Sequence, residues 1–151
     1  MANTQAMCTS FKTEILSGIH ALGTTVIRAG TGADTLKAAL YLASATVNAA
    51  TTAYSATGEV SGTGYTAGGI TVTNATAPTS SGTTAYWTPS ASFTYTTVTL
   101  TTSFDCVLVY NSTQSNKAIS AHTFGAQTIT AGTFVLSMPT NDSTNALTRI
   151  A

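Results

Sequence analysis

Charge is what this chain has least of. Among its 151 residues only five are basic and five acidic, so charged side chains make up 7% and the formal net charge at pH 7 is zero. Ordinary domains carry about 25%. A chain without a Lys/Arg footprint has little with which to displace counterions from a phosphate backbone, which argues against a nucleic-acid partner. Low charge does not mean disorder here. Disordered chains combine low hydrophobicity with high net charge, whereas this one is 43% hydrophobic with a mean hydropathy of +0.22. Surface charge of both signs is the usual means of staying soluble, so its scarcity is easier to understand if much of the surface is covered in an assembly.

Cysteine is scarce too. Cys8 and Cys106 stand far apart, with no CxxC and no histidine at ligand spacing. One disulfide between them is formally open, but two buried thiols in a reducing cytosol are the expected state. A structural zinc site wants four Cys/His ligands, and Cys8, Cys106, His20 and His122 are scattered. No metal, cofactor or disulfide is therefore expected to be needed. No apolar run approaches membrane-spanning length. Residues 1–10 lack the basic and apolar regions of a secretory signal. The Asn-x-Ser/Thr triplets at Asn74, Asn111 and Asn141 are then expected by chance in so hydroxyl-rich a chain. The 15.3 kDa length suits one domain, with a folded surface of roughly 7,000 Å² and about two thirds of the unfolded surface buried, so no staple is required.

What the chain does have is threonine, roughly one residue in five, β-branched and suited to a pleated, half-buried surface. The one convincing helix is near the start. Ser10 can act as N-cap, Phe11, Ile15 and Ile19 recur at i, i+4 and i+8, and Gly18 sits where a stop would fall. Residues 22–35 read as a Gly-rich loop around Gly23, Gly30 and Gly32, with room for a short strand at 25–27. Residues 36–47 are ambiguous: 36–42 have helix formers, with Leu36 and Leu40 four apart, yet Leu36, Ala38, Leu40 and Leu42 also alternate with Lys37, Ala39 and Tyr41. Strand is preferred, because everything downstream is β-like.

From residue 51 onward the pattern is strand and turn. Gly68-Gly69 feeds Ile70-Thr71-Val72-Thr73. In residues 92–100, Phe93 and Tyr95 lie on one parity and Val98 and Leu100 on the other, which calls for a bulge or a strand crossing between sheets. Residues 104–110 are apolar on both parities, as in a central strand covered on both faces. A turn at 111–116 and strands at 118–124, 133–138 and 146–150 complete the reading. The expected fold is mostly β: residues 1–20 an N-terminal arm and short helix, residues 21–151 a single antiparallel β-sandwich domain, with the jelly roll as one candidate topology.

Candidate chemical sites fail in turn. The run Gly62-Thr63-Gly64-Tyr65-Thr66-Ala67 matches the loose dinucleotide fingerprint, but that motif works between a strand and a helix N-terminus, and here Gly68-Gly69 and β-branched residues follow. Lys12, Lys37 and Lys117 do not follow the glycines of a phosphate loop. Catalysis by His20 or His122 needs an orienting carboxylate and a nucleophile. The carboxylates available, Glu14, Asp34, Glu59, Asp105 and Asp142, are unpaired in sequence. Asn141-Asp142 could offer calcium oxygens, but one carboxylate makes a weak site.

The opening Thr4-Gln5-Ala6-Met7-Cys8-Thr9-Ser10-Phe11-Lys12-Thr13-Glu14-Ile15-Leu16 carries a likeness, as do Leu36-Lys37-Ala38-Ala39-Leu40-Tyr41 and Thr63-Gly64-Tyr65-Thr66-Ala67-Gly68-Gly69. So do Val109-Tyr110-Asn111-Ser112-Thr113, Asn116-Lys117-Ala118 and the ending Asn145-Ala146-Leu147-Thr148-Arg149-Ile150-Ala151. Together, in this order, they resemble a family of small tailed-bacteriophage virion structural proteins of the capsid decoration (cement) or head-fibre type. The sequence departs from the family in a longer, Gly-rich segment at 21–34 and in its richness in Thr.

The resemblance implies a virion component that is not an enzyme. It would be a capsid decoration protein on the outer surface of the head, made in the host bacterial cytoplasm, with the major capsid protein and further copies of itself as partners and with no nucleic acid, membrane or cofactor. The alternative is a tail or fibre component binding a host-surface polymer, with Tyr54, Tyr65, Tyr86 and Trp87 as stacking candidates, although such residues are more often core. Met7, Phe11, Ile15 and Ile19 are the candidate assembly interface. They would either dock an N-terminal arm on a neighbouring subunit or plug one end of their own sandwich.

Overall fold

In the computed structural model the described residues are 3–16, 19–23 and 33–151. Their elements run β1 (Ala6–Met7), α1 (Thr9–Leu16), β2 (Leu36–Leu42), β3 (Ile70–Thr71), β4 (Thr79–Ser81), β5 (Thr84–Trp87), β6 (Phe93–Asn111), β7 (Lys117–Leu136) and β8 (Thr148–Ile150). The fold is mostly β. A five-stranded sheet in the order β1-β7-β6-β2-β3 and a three-stranded sheet β4-β5-β8, both antiparallel, pack together in a sandwich-like arrangement with one short helix. The expectations for Gly18, Gly30, Gly32 and a strand at 25–27 fall outside the described residues.

Within 36–47 the strand that alternation favoured covers residues 36–42 and ends in a turn from residue 43; it pairs with residues 104–111 of β6. That half of β6 lies between β2 and β7 and is buried on both parities, Phe104, Cys106, Leu108 and Tyr110 on one and Val107 and Val109 on the other. Double coverage leaves the ladder as the only place for its backbone polar groups, which is why β6 sits inside the sheet rather than at its edge.

Two expectations are corrected. Residues 92–100 and 104–110 are one strand, β6, and residues 118–124 and 133–138 lie largely within another, β7, so two long strands replace four short ones. The β-branched residues at 96–102 and 128–130 keep the backbone extended, and the parity switch is absorbed by register shifts with positive φ at Thr97 (53°) and Ala131 (46°). These bulges bend the ribbon back on itself. Phe124 and Phe134 have ring centroids 5.3 Å apart, and Phe104 meets Phe134 edge-on at 5.0 Å. A straight strand would separate positions 124 and 134 by about 33 Å. The Tyr95 hydroxyl, on the returning half, donates to the Ala38 carbonyl of β2 at 2.9 Å.

Ser10 is not the N-cap, because α1 starts at Thr9. The amides of Cys8 and Thr9 donate instead to the carbonyls of Ile119 and Ala49, so tertiary neighbours supply what a capping side chain would otherwise provide.

Candidate functional site

The four residues expected to form an assembly interface are engaged by their own chain. Met7 pairs with Ser120 at the edge of the larger sheet. Phe11 is fully buried in the core, its ring 4.8 Å from the His20 ring, and Ile15 packs against that core. Ile19 is half-buried, and its amide donates to the Glu14 carbonyl. Ahead of them, the Asn3 side chain accepts from the Val47 amide and donates to Leu42 O and Asp105 Oδ1.

Beside the helix, residues far apart in sequence meet in a polar cluster. Glu14 Oε1 accepts from Lys117 Nζ at 2.5 Å, and Glu14 Oε2 accepts from His20 Nε2 at 2.7 Å. His20 Nδ1 lies 3.1 Å from Asn111 Nδ2, which also donates to Asp34 Oδ2, while Gln114 donates to Asp34 Oδ1. With Glu14 accepting at Nε2, the assigned tautomer carries its proton there and accepts from Asn111 at Nδ1. Burial pushes the Glu14 carboxyl up, but Lys117 and His20 outweigh it and hold the group below the ordinary range. Both ring nitrogens of His20 are occupied and its side chain is fully buried. The cluster ties the helix to the β6–β7 turn and leaves no base free for a substrate.

A second cluster explains the tyrosines. Glu59 accepts from the hydroxyls of Tyr54 (2.6 Å) and Tyr65 (2.7 Å) and from the Gly68 amide (2.7 Å). Tyr54 stacks on Tyr110, whose hydroxyl donates to Gly68 O. Burial first, and then Glu59, raise Tyr54, Tyr65 and Tyr95 well above the ordinary phenol value and raise Tyr110 too. All four therefore stay protonated. Trp87 is 1% exposed and donates to Thr76 O. Trp87 is therefore closed to a stacking sugar, whereas Tyr54, Tyr65 and Tyr86 are half-buried.

The glycines of residues 62–69 serve close approach. A Cβ at Gly62 would stand 2.0 Å from Thr99 O, and one at Gly69 (φ +72°) would stand 1.8 Å from Ala38 O.

One cleft among the described residues is one no sequence motif pointed to. It measures about 700 Å³ and lies between β1, β7 and the C-terminal segment ending in β8. Ser120 and His122, two apart on β7 and so on one face, line its floor, with Ser120 Oγ 2.8 Å from His122 Nε2. Desolvation pushes His122 down to about 4, so the ring is neutral at pH 7. Arg149 is the one Lys, Arg, Asp or Glu in the lining; its guanidinium donates to Thr144 O, and its charge helps to hold the Asp142 carboxyl low. A hydroxyl against an imidazole resembles half of a catalytic triad, but no Asp or Glu side chain is among the lining residues to orient the ring. Alternation along 118–124 could have placed Ser120 and His122 on one face; nothing local could have placed residues 139–151 opposite them.

Among the described residues no three His, Cys, Asp or Glu side chains converge as metal ligands. Cys8 and Cys106 are free, buried thiols, pushed by burial up to about 11 and about 12. Asp142 accepts from the amides of Thr144 and Asn145 and so caps its own turn. Comparison with protein-family models, with curated proteins and with solved structures finds no match to this chain.

Proposed function

We propose that this chain is a structural component of a phage particle, a decoration protein that binds the lattice of the major capsid protein in many copies on the outer surface of the head. It acts by binding and performs no catalysis. The observation that carries the reading is the uncharged exterior. The accessible surface is 7337 Å², and much of the little charge there is goes to internal partners: Glu14 with Lys117, Asp34 with Asn111 and Gln114, Glu59 with two tyrosines, Asp105 with Asn3. No charged residue occurs between Glu59 and Asp105, or between Lys117 and Asp142. The β6–β7 bend in these stretches presents exposed Thr96, Thr97, Thr101, Thr128 and Thr130. Such a surface lacks the usual means of staying apart from its neighbours and suits one that is covered in an assembly. The resemblance in sequence to small virion proteins of tailed phages points the same way.

The mechanism is passive. Binding that exists only on the assembled shell stabilises that shell by mass action, and repetition over a lattice adds avidity. Contacts rest on shape, apolar surface and hydroxyl or backbone hydrogen bonds rather than on steering by charge. The test is to add purified protein to particles that lack it, then measure sedimentation with the shell and the temperature at which the shell releases its DNA. Saturable binding, a higher release temperature and less than a tenfold loss of affinity between low and moderate salt are expected. Failure to bind particles, combined with binding to host cells, would replace this reading with that of a tail or fibre component.

A further inference from the structure

We propose that residues 3–16 form an acid-released strap, which opens as a unit when the Glu14 carboxylate takes up a proton while both sheets stay folded. This device does not depend on the capsid reading. The strap lies at the outside of the fold. β1 is the outermost strand of the larger sheet and pairs with β7 through two residues, Ala6 with Ala121 and Met7 with Ser120, so its removal breaks no other strand pair. Its further backbone bonds to the body among the described residues are those of Thr4 to Val47 O, Cys8 to Ile119 O and Thr9 to Ala49 O, and the Asn3 side chain adds Leu42, Val47 and Asp105. It gives Cys8 and Phe11 to the core, whereas β2, β6 and β7 supply Leu36, Leu40, Phe104, Leu108 and Ile119. At eight residues α1 is too short to persist alone, since isolated helices below about 12–15 residues are marginal. Once detached, helix and strand are lost together, as in sub-global opening of a cooperative unit.

Glu14 fastens the far end. It is buried, and three titratable groups face it: Lys117 from β7, His20 from the chain just past the helix, and the Cys8 thiol from the strap itself. Asp34 stands one side chain further off, reached through Asn111. Burial works against the carboxylate, but the hydrogen bonds and charges of Lys117 and His20 prevail and hold Glu14 below 4.5. A carboxyl held low in the folded state contributes stability above the ordinary range and loses it as pH falls through the folded value. At neutral pH the strap is therefore closed. With Glu14 neutral, Lys117 turns to water and the buried His20 ring loses its charged acceptor. Opening then leaves β7 without a neighbour at Ser120 and Ala121, an unpaired edge of the kind that other chains add to.

Native-state hydrogen exchange on the full chain, in steps of urea from pH 6 to pH 3.5 and corrected for intrinsic rates, tests both halves of the proposal. The amides of Thr4, Cys8 and Thr9 report the strap, and those of Val107, Leu108 and Val109 report the centre of the sheet. In the unaltered protein the strap amides should be less protected, with a smaller urea slope. Their protection should fall about threefold or more between pH 6 and pH 3.5. In Glu14→Gln, which keeps an acceptor without the charge, it should already be lower at pH 6 and change by less than about twofold over the same range. Strap and sheet amides sharing one protection and one urea slope in the unaltered protein would show that residues 3–16 open only with the whole fold, and would end the proposal without recourse to any variant. A strap that opens alone, but with the same pH profile in Glu14→Gln, would end it too, because Glu14 would then not be the fastening.

Discussion

Acid should unfold this protein in a way that can be traced to His122. Its ring lies on the floor of the cleft, against Ser120 Oγ at 2.8 Å, and desolvation lowers it from 6.5 to about 4. The unfolded chain takes up this proton first as pH falls, so His122 leaves stability intact above pH 6.5 and removes it progressively down to about pH 4. At 1.36 kcal/mol per pH decade, that gap corresponds to ~3 kcal/mol, or a fall in Tm of roughly 6–12 °C for a chain of this length. Glu14, whose carboxyl is held low by its partners, adds a further loss only as pH drops through the ordinary carboxylate range. The comparison that isolates the imidazole is with His122→Gln, which keeps a partner for Ser120 but cannot titrate. Urea unfolding, followed by the fluorescence of the single tryptophan, Trp87, at half-unit steps from pH 7 to pH 4 gives both profiles. The variant should lose much less stability than the original protein between pH 6.5 and pH 4.5. Parallel profiles would refute the reasoning, because they would mean that the ring is as well solvated when folded as when unfolded.

Gly69→Ala forces a side chain at φ +72° into Ala38 O and should cost at least ~2 kcal/mol, whereas Gly125→Ala, with nothing within 4 Å, should change urea stability by no more than ~0.5 kcal/mol. Glu14→Ala removes the shared partner of Lys117 and His20. With Lys117 35% exposed, solvent screens part of the loss, so ~1–2 kcal/mol is expected at pH 7, and an unchanged urea midpoint would mean that the cluster contributes nothing net. Cys8 and Cys106, buried and held as thiols, should react with iodoacetamide only after denaturation. Neither reductant nor chelator should move the melting temperature by more than about 5 °C.

How much could be read in advance depends on the range of the interaction responsible. Residues 36–42 and 104–110 were legible because alternation, and burial on both parities, are properties of neighbouring residues. The parity switch between Tyr95 and Val98 likewise announced a bulge, and Thr97 occupies it. The supposed cap at Ser10 misled, because the carbonyls that satisfy the helix start come from Ala49 and Ile119. The supposed break between residues 124 and 133 misled as well, because a bent strand and two separate strands have the same local pattern. The candidate site was the least legible part. Gln5, His122 and Arg149 share a cleft only because β7 pairs with β1 while the last residues pair with β5.

The amino-acid sequence by itself determined a neutral, threonine-rich, mostly β protein with buried thiols, since composition and two-residue periodicity act residue by residue. The tertiary structure alone decided that Glu14, His20, Asp34, Asn111 and Lys117 would share one polar cluster and that two sheet edges would face one cleft. Those outcomes depend on which distant segments win the competition to bury the same apolar faces, and that competition is resolved only when the whole chain packs at once.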